Sequence, residues 1–352
     1  SYTINDGILN TQCFYPANTL KPELTKAFEV GLNVKFLVNR LNLDVTYYNS
    51  NTYNQIFTLD AAASTSYKQF YLNSGKVNNW GIEATLGYKD TFGPVYWEST
   101  VTYSMNRNKI KELIGEGSVD PLTGEPLRME SLVVSEIGGY RMELTEGGSM
   151  GDIYVTGLTR DYNGEILSDD TGAVSADNGT WYYAGSVDPK HRIGWNNTID
   201  YKGFSLNFLF DYRIGGVVAS STQAIMDRYG VSENSARDRD NGGALLNGGR
   251  TDAKDYYDVL GGGKTGLLAY YTYSATNLRL REGSIGYKLP SKWFRNKLNM
   301  TVSLVGRNLW MLYNRAPFDP ELTASTSTYY QGLDYFMQPS MRTVGFSVRL
   351  QF

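Results

Sequence analysis

A chain of 352 residues is long enough for one large all-β unit or two ordinary domains, and a formal net charge of −3 with no basic stripe excludes an obvious nucleic-acid partner. Mean hydropathy is −0.37 and no apolar run approaches the ~20 residues of a membrane helix. That excludes helical spans but not a membrane barrel, whose strands are half polar. Cys13 is the sole cysteine, so no intrachain disulfide can form, and the opening stretch SYTINDGILN carries no signal peptide. A chain that begins deep inside a larger protein is expected.

Apolar and polar residues alternate with a period of two along nearly the whole chain, the mark of strands with two unlike faces. In chain order the apolar faces run through Val30 to Phe36, Leu41 to Tyr47, Ile82 to Tyr88, Trp97 to Tyr103 and Ile193 to Tyr201. Phe204, Leu206, Phe208, Phe210 and Tyr212 follow, opposed by Ser205, Asn207 and Asp211. Leu278 to Leu289 changes phase near Glu282 and Gly283, where a bulge is expected. Leu298, Met300, Val302 and Leu304 then alternate with Asn299, Thr301 and Ser303, and the chain closes on Val344, Phe346, Val348, Leu350 and Phe352. Each stretch is about ten residues long, nearer the 9–11 of a tilted bilayer-crossing strand than the five or six of a globular one. Aromatics at strand ends (Trp80 and Tyr88, Trp97 and Tyr103, Trp195 and Tyr201) resemble interfacial girdles, and 28 residues are Tyr. Arg349 and Lys35 fall on polar faces.

A soluble β-sandwich alternates too, so the connections decide. Short links near Asn39, at Asp90 to Pro94, at Lys202 and at Pro290 to Asn296 alternate strictly with long ones at roughly 58–76, 107–190, 214–275 and 308–342. A membrane barrel sorts tight turns to one end and long loops to the other; Greek-key sandwiches have no reason to. The expected fold is therefore all-β, an antiparallel transmembrane β-barrel.

Several strings resemble one family. LKPELTKAFEVGLNVKF (Leu20 to Phe36) looks like the P-E-x-T-x-x-x-E-x-G start of a strand in TonB-dependent transporters, and NSGKVNNWGIEATLGY (Asn73 to Tyr88) like their N-x-G-x-x-x-N-x-G-I-E signature. YKGFSLNFLFDYRIGG (Tyr201 to Gly216), LRLREGSIGYKLP (Leu278 to Pro290) and VGRNLWMLYNRAPFDPE (Val305 to Glu321) are similar to the SusC-like branch. The resemblance implies an importer of the Bacteroidetes type in the bacterial outer membrane, with an N-terminal plug inside a barrel of about 22 strands. It implies energy from a TonB complex and a SusD-like surface lipoprotein that lids the pore. The cargo would be an oligosaccharide or, less often, a peptide, and Phe352 would be a terminal assembly signal. Roughly nine strands are legible and no plug segment is, so residues 1–352 are expected to be the C-terminal portion of such a barrel, its other strands and plug lying elsewhere.

Other motifs have plainer readings. GGGKTG (Gly261 to Gly266) lacks the phosphate loop's leading Gly, the position being Asp258, so a flexible loop is the better reading. DRDNGG (Asp238 to Gly243) and DYNGE (Asp161 to Glu165) miss EF-hand spacing and suit surface turns. His191 is the sole histidine and no G-x-S-x-G turn exists, so neither a metal site nor catalysis is expected, and no cofactor. The substrate-binding candidates are aromatic and polar residues of the long connections: Trp181, Tyr182 and Tyr183; Asp238 and Asp240; and Trp310, Tyr313, Tyr329, Tyr330 and Tyr335 beside Phe336. Rings that stack on sugar faces, with carboxylates and amides bonding hydroxyls, would make a glycan site. The rival readings are a siderophore, cobalamin or peptide importer of the same family, and a surface β adhesin or lectin.

Overall fold

The computed structural model describes residues 3–5, 8–10, 14–15, 21–60, 69–73, 75–115, 119, 124–126, 129–325 and 329–351. Nine strands form one antiparallel sheet in which every strand pairs with its neighbours in sequence. They are β1 (Leu24–Phe36), β2 (Leu41–Tyr53), β3 (Lys76–Phe92), β4 (Val95–Glu112), β5 (His191–Tyr201), β6 (Phe204–Ile214), β7 (Asn277–Lys288), β8 (Asn299–Asn314) and β9 (Thr343–Gln351). Each contains one of the nine alternating segments seen in the sequence. Most of the strands are longer than those segments, reaching 18 residues in β4 and 16 in β8. Polar outer ends such as MNRNKIKE of β4 lack the apolar alternation that marks a strand, yet they pair with β3 as far as Lys76↔Glu112.

Register carries the alternation across the sheet. On one face Ile193 pairs with Tyr103 and Tyr212, and Val302 pairs with Tyr287 and Val348. On the other, Glu83 pairs with Thr46 and Ser104, Arg192 with Ser104 and Arg213, and Ser303 with Gly286 and Ser347. The polar face is the concave one. Hollows of about 530, 520 and 370 Å³ lie along it, lined by Asn207, Ser284 and Ser347, by Thr46, Thr85 and Arg192, and by Lys35, Lys89 and Glu98 respectively. Arg349 pairs with Thr301 on this same face. The bulge sits one residue before the expected place: the ladder steps from Leu280 to Glu282 and leaves Arg281 as the extra residue.

The connections sort as expected. Residues 37–40, 93–94, 202–203 and 289–298 close one end, and 54–75, 113–190, 215–276 and 315–342 the other. The turn at Lys202 and Gly203 has both residues at positive φ (47° and 89°), whose local twist matches that of the flanking strands.

The long connections are built, not slack. Ser131–Ile137, Tyr140–Thr145, Asp152–Leu158 and Ala176–Ser186 form a four-stranded antiparallel sheet. Three short helices, which the sequence reading did not anticipate, follow in the next connection: α1 (Ser221–Arg228), α2 (Glu233–Asp240) and α3 (Ala253–Leu260). Their N-caps are Ser220, Ser232 and Asp252, each accepting main-chain N–H bonds of the first turn. The largest apolar core joins three connections, with Tyr140, Met142, Ile153 and Val155 from one, Ala224, Tyr257 and Leu268 from the next, and Leu333 from the last. GGGKTG is part of this body, which corrects the flexible-loop reading. Thr265 is fully buried and accepts the Gly139 N–H at 2.7 Å, and a Cβ on Gly139 would come within 2.4 Å of the Gly266 carbonyl. A smaller core of Val77, Ile110, Leu113, Leu132 and Leu144 ties the four-stranded sheet to β3 and β4.

Two outcomes check this architecture. Val302 is 40% exposed on the outward face, so Val302→Arg should cost about 2–4 kcal/mol at the bilayer midplane and deplete heat-resistant folded protein, whereas Ser303→Arg on the concave face should be tolerated. Equal tolerance of both would overturn the assignment of faces. Protease added to sealed cells should first cut the turn at Asp161–Gly164, where Tyr162 is 96% exposed, and spare residues 289–298.

Candidate functional site: the concave wall and its rim

The wall's main charge cluster lies where the polar face meets the long connections. Arg279 on β7 donates two bonds to Asp319, Nη2 to Oδ1 at 2.6 Å and Nη1 to Oδ2 at 3.3 Å. Arg281, freed from the ladder by the bulge, bonds Glu321 through Nη2 at 2.7 Å and Nη1 at 3.0 Å, and also holds Asp211 of β6. The side chains of Arg279 and Asp319 are only 4% and 9% exposed. Two planar guanidinium forks thus clamp the last long connection onto the wall. Burial opposes ionisation of Asp319, but bonds from Arg279, Ser340 and the Glu321 N–H hold its carboxyl at about 2. Both strings that carry this cluster stand out in the sequence, but nothing local pairs their charges. The signal was there: two arginines in LRLREGS and two carboxylates in FDPE.

The sequence-predicted residues separate into groups. Trp181 and Tyr183 stand on the exposed face of the four-stranded sheet, and Tyr182 points the other way, packed against the core. The Arg141 guanidinium lies 3.9 Å from the Trp181 ring centroid and is itself paired with Glu136 at 2.6 Å. Arg141, Tyr154 and Tyr183 follow one another across three strands, and Tyr183, 59% exposed, meets Tyr154 edge-on at 5.5 Å. This is a surface cluster of rings and charges. Asp238 accepts a 2.6 Å bond from the Tyr257 hydroxyl, which joins α2 to α3, while Asp240 is exposed at the end of α2. Trp310 and Tyr313 lie within β8 rather than in a loop, opposite Leu280 and Leu278 on the outward face, and Trp310 is 61% exposed. Tyr330 packs against Tyr140 in the core, with Tyr329 half exposed beside it. Tyr335 meets Phe336 at 5.4 Å near α1, where the Phe336 N–H bonds Thr222. The structure therefore brings Trp181 and Tyr183 together and keeps the other candidates apart. Arg141 and Tyr154, which complete the cluster, were missed because strand pairing alone brings them there. Phe352, the expected assembly signal, lies outside the described residues.

DYNGE closes as a turn in which Asp161 accepts the N–H groups of Asn163 and Glu165. His191 opens β5 with Nδ1 2.8 Å from the Tyr103 hydroxyl.

A polar concave wall of sequential antiparallel strands, with tight turns at one end and a built rim at the other, is the wall of a membrane β-barrel. Residues 2–129 match the family model described as TonB dependent receptor-like, beta-barrel. The chain is 25% identical over 366 residues to TonB-dependent receptor P3 of Formosa agariphila, covering 99% of this chain and 36% of the relative. It is 23% identical to TonB-dependent receptor P39 of the same organism, covering 94% of this chain and 36% of the relative. The chain thus spans about a third of the length of the curated relatives it matches. The solved RagAB peptide importer in its open-open state superposes with a TM-score of 0.70 at 17% identity, covering 100% of this chain and 38% of that one. Another RagAB peptide transporter structure gives 0.62 at 18% identity, over 93% of this chain and 34% of that one. The recognition drawn from the motifs agrees with these similarities: the chain resembles TonB-dependent receptors along its length, its first third matches their β-barrel model, and its fold is that of a partial antiparallel β-barrel.

The clamp has a pH signature. Asp319 is held below its ordinary value of 3.8, so its contribution is complete above that value and is lost as pH falls toward about 2. Hydrogen exchange in residues 315–342 should stay low until pH enters that window, and Asp319→Asn should weaken the connection by about 3 kcal/mol at neutral pH. Early loosening in the native protein, well above 3.8, would remove the clamp from the account.

Proposed function

We propose that the chain forms part of the wall and outer mouth of an energy-coupled importer in the bacterial outer membrane, and that its cargo is an oligosaccharide. The remaining strands and a plug would come from the rest of a longer protein, and the TonB complex would act through that part. The observation that carries the reading is the sorting of the sheet: a polar concave face leads from the tight-turn end to a rim built from the long connections. The glycan reading rests on the cluster of exposed Tyr183 with half-buried Trp181 and Tyr154, whose rings offer stacking surface while Arg141, Glu136 and Glu143 offer hydroxyl partners. A SusD-like lipoprotein would close over this rim, bringing cargo down onto it. The family's barrels are outer-membrane transporters rather than enzymes, and the outward row of Trp195, Phe208 and Phe210 suits a lipid boundary.

Uptake of labelled oligosaccharides by cells carrying the full-length protein tests the reading. Uptake should vanish when the TonB complex is deleted. The double change Trp181→Ala and Tyr183→Ala should lower apparent affinity about tenfold, the scale of two lost stacking contacts, with barrel abundance unchanged. Cargo binding at the surface without energy-dependent entry would support the lectin reading instead. Entry of peptides but not sugars would move the cargo class.

A further inference from the structure

One row of the concave wall has two arginines directly opposite each other. Arg192 on β5 pairs in register with Arg213 on β6, and both side chains stand on the polar face. Like charges at directly opposed positions repel, with Cβ atoms about 4.5–5.5 Å apart, and such pairs normally destabilise a sheet. The usual remedy, a carboxylate for each guanidinium, is not in place. Among the described residues, the Arg192 side chain makes no hydrogen bond and no ion pair within 4.0 Å. Arg213 donates Nη2 to the Val187 carbonyl at 2.8 Å, but its buried Nε has no partner. Arg279 also leaves its buried Nε without a partner, but its Nη groups and those of Arg281 are ion-paired with Asp319, Glu321 and Asp211, whereas Arg213 feels Glu321, Asp188 and Asp211 without an ion pair to any of them.

Arg192 lines the hollow of about 520 Å³, together with Thr102, Ser104, Asp211 and Arg281, a volume that admits a sugar ring. Ser104 is its partner on the other side and places a hydroxyl beside it. The surrounding charge is mixed. Asp188 lies close enough to act on both arginines, and burial pushes its carboxyl above the ordinary range, which weakens it as a counter-ion. Glu83 lies two strands away on the same row. Acids on both flanks would repel a polyanion, so the gap at the arginine pair fits a single negative group.

We propose that Arg192 and Arg213 form a carboxylate subsite on the lumen wall, so that the imported cargo carries an acidic group such as that of a uronic acid residue. The planar guanidinium of Arg192 meets a carboxylate in two parallel bonds, and the bound anion replaces the mutual repulsion of the pair by two attractions. The inference rests on the polar face being the path of the cargo.

The test uses the purified full-length protein in detergent and measures binding by calorimetry. One arm uses trigalacturonate against its methyl ester; the other uses N-acetyl-trialanine against its methyl ester. At least one free acid should bind about tenfold or more tightly than its ester, the scale of one charge-assisted contact. Arg192→Gln should abolish that preference while the melting temperature holds or rises, since a repulsive pair has been removed. Arg192→Lys, which keeps the charge and loses the fork, should retain part of it. Preference in the sugar arm assigns a uronate cargo, and preference confined to the peptide arm assigns an acidic peptide, both upholding the subsite. Equal binding of acid and ester in both arms, binding of neither acid, or a preference that survives Arg192→Gln overturns it. A lower melting temperature in Arg192→Gln would mark the arginine as structural and overturn it as well. Uptake in cells separates the two readings: energy-dependent entry of the acidic cargo at full rate in Arg192→Gln removes the subsite and leaves the importer standing. Acid-selective binding without any energy-dependent entry does the reverse.

Discussion

The main-chain ladder between successive antiparallel strands is the constraint on which the rest depends. Because side chains alternate about each strand, one choice of register assigns every residue of nine strands to one of two faces. A slip of one residue at β8 would turn Val302 and Leu304 inward and Ser303 and Arg307 outward. Register is pinned at one end by turns too short to slip, such as Lys202–Gly203, and at the other by the bulge that ejects Arg281. That bulge has a chemical consequence as well. The extra residue lets Arg281 reach Asp211 and Glu321 while Arg279, two residues earlier, holds Asp319. A local irregularity of the sheet thereby becomes the anchor of a long connection.

The fold was legible where apolar residues alternate and silent where they do not. Nine strands, their order and the alternation of tight and long links follow from period-two patterning and from turn residues such as Asn39 and Lys202–Gly203. The outer strand ends were not legible, because residues such as Asn106, Asn108 and Lys109 are polar on both faces there. They pair because β3 runs alongside, with Asn108 donating to Asn79 at 2.7 Å. The helices were hidden for different reasons. ENSARDRD of α2 is polar all round and has no apolar stripe, so its cap at Ser232 and the Asp238–Tyr257 bond have to position it. GGGKTG looked slack because glycines usually are. Here they allow two connections to approach within main-chain distance, a property of the partner strand that no local string contains.

The arrangement of the candidate residues was not legible in the sequence. Of the aromatic residues singled out in the long connections, only Trp181 and Tyr183 share a surface. Period-two geometry explains the split inside WYY itself, since Tyr182 must face the core if its neighbours face outward. Trp310 and Tyr313 were displaced from the loop into β8 by the same lengthening of strand ends. Arginines were overlooked throughout because a lone arginine in a polar face looks like solvation. Its meaning comes from what lies opposite: Trp181 for Arg141, Asp319 for Arg279, another arginine for Arg192.

The rim's construction limits how such a mouth can move. Three long connections share one apolar core, with Tyr140, Leu268 and Leu333 each from a different connection and each at most 3% exposed. Moving one connection alone would tear that core and expose side chains whose burial stabilises by about 1.5–3 kcal/mol apiece. The parallel pairing of Val217–Ser220 with Leu333–Asp334, and the bond from Ser220 to Asp334 at 2.6 Å, add main-chain and side-chain ties between the third and fourth connections. Opening by independent flaps is therefore the expensive route. The cheaper ones leave the rim intact and move it as one body. On that view the connections form one preorganised body, their long sequence is spent on rigidity, and a surface such as that of Trp181, Tyr183 and Tyr154 keeps its shape when the rim moves.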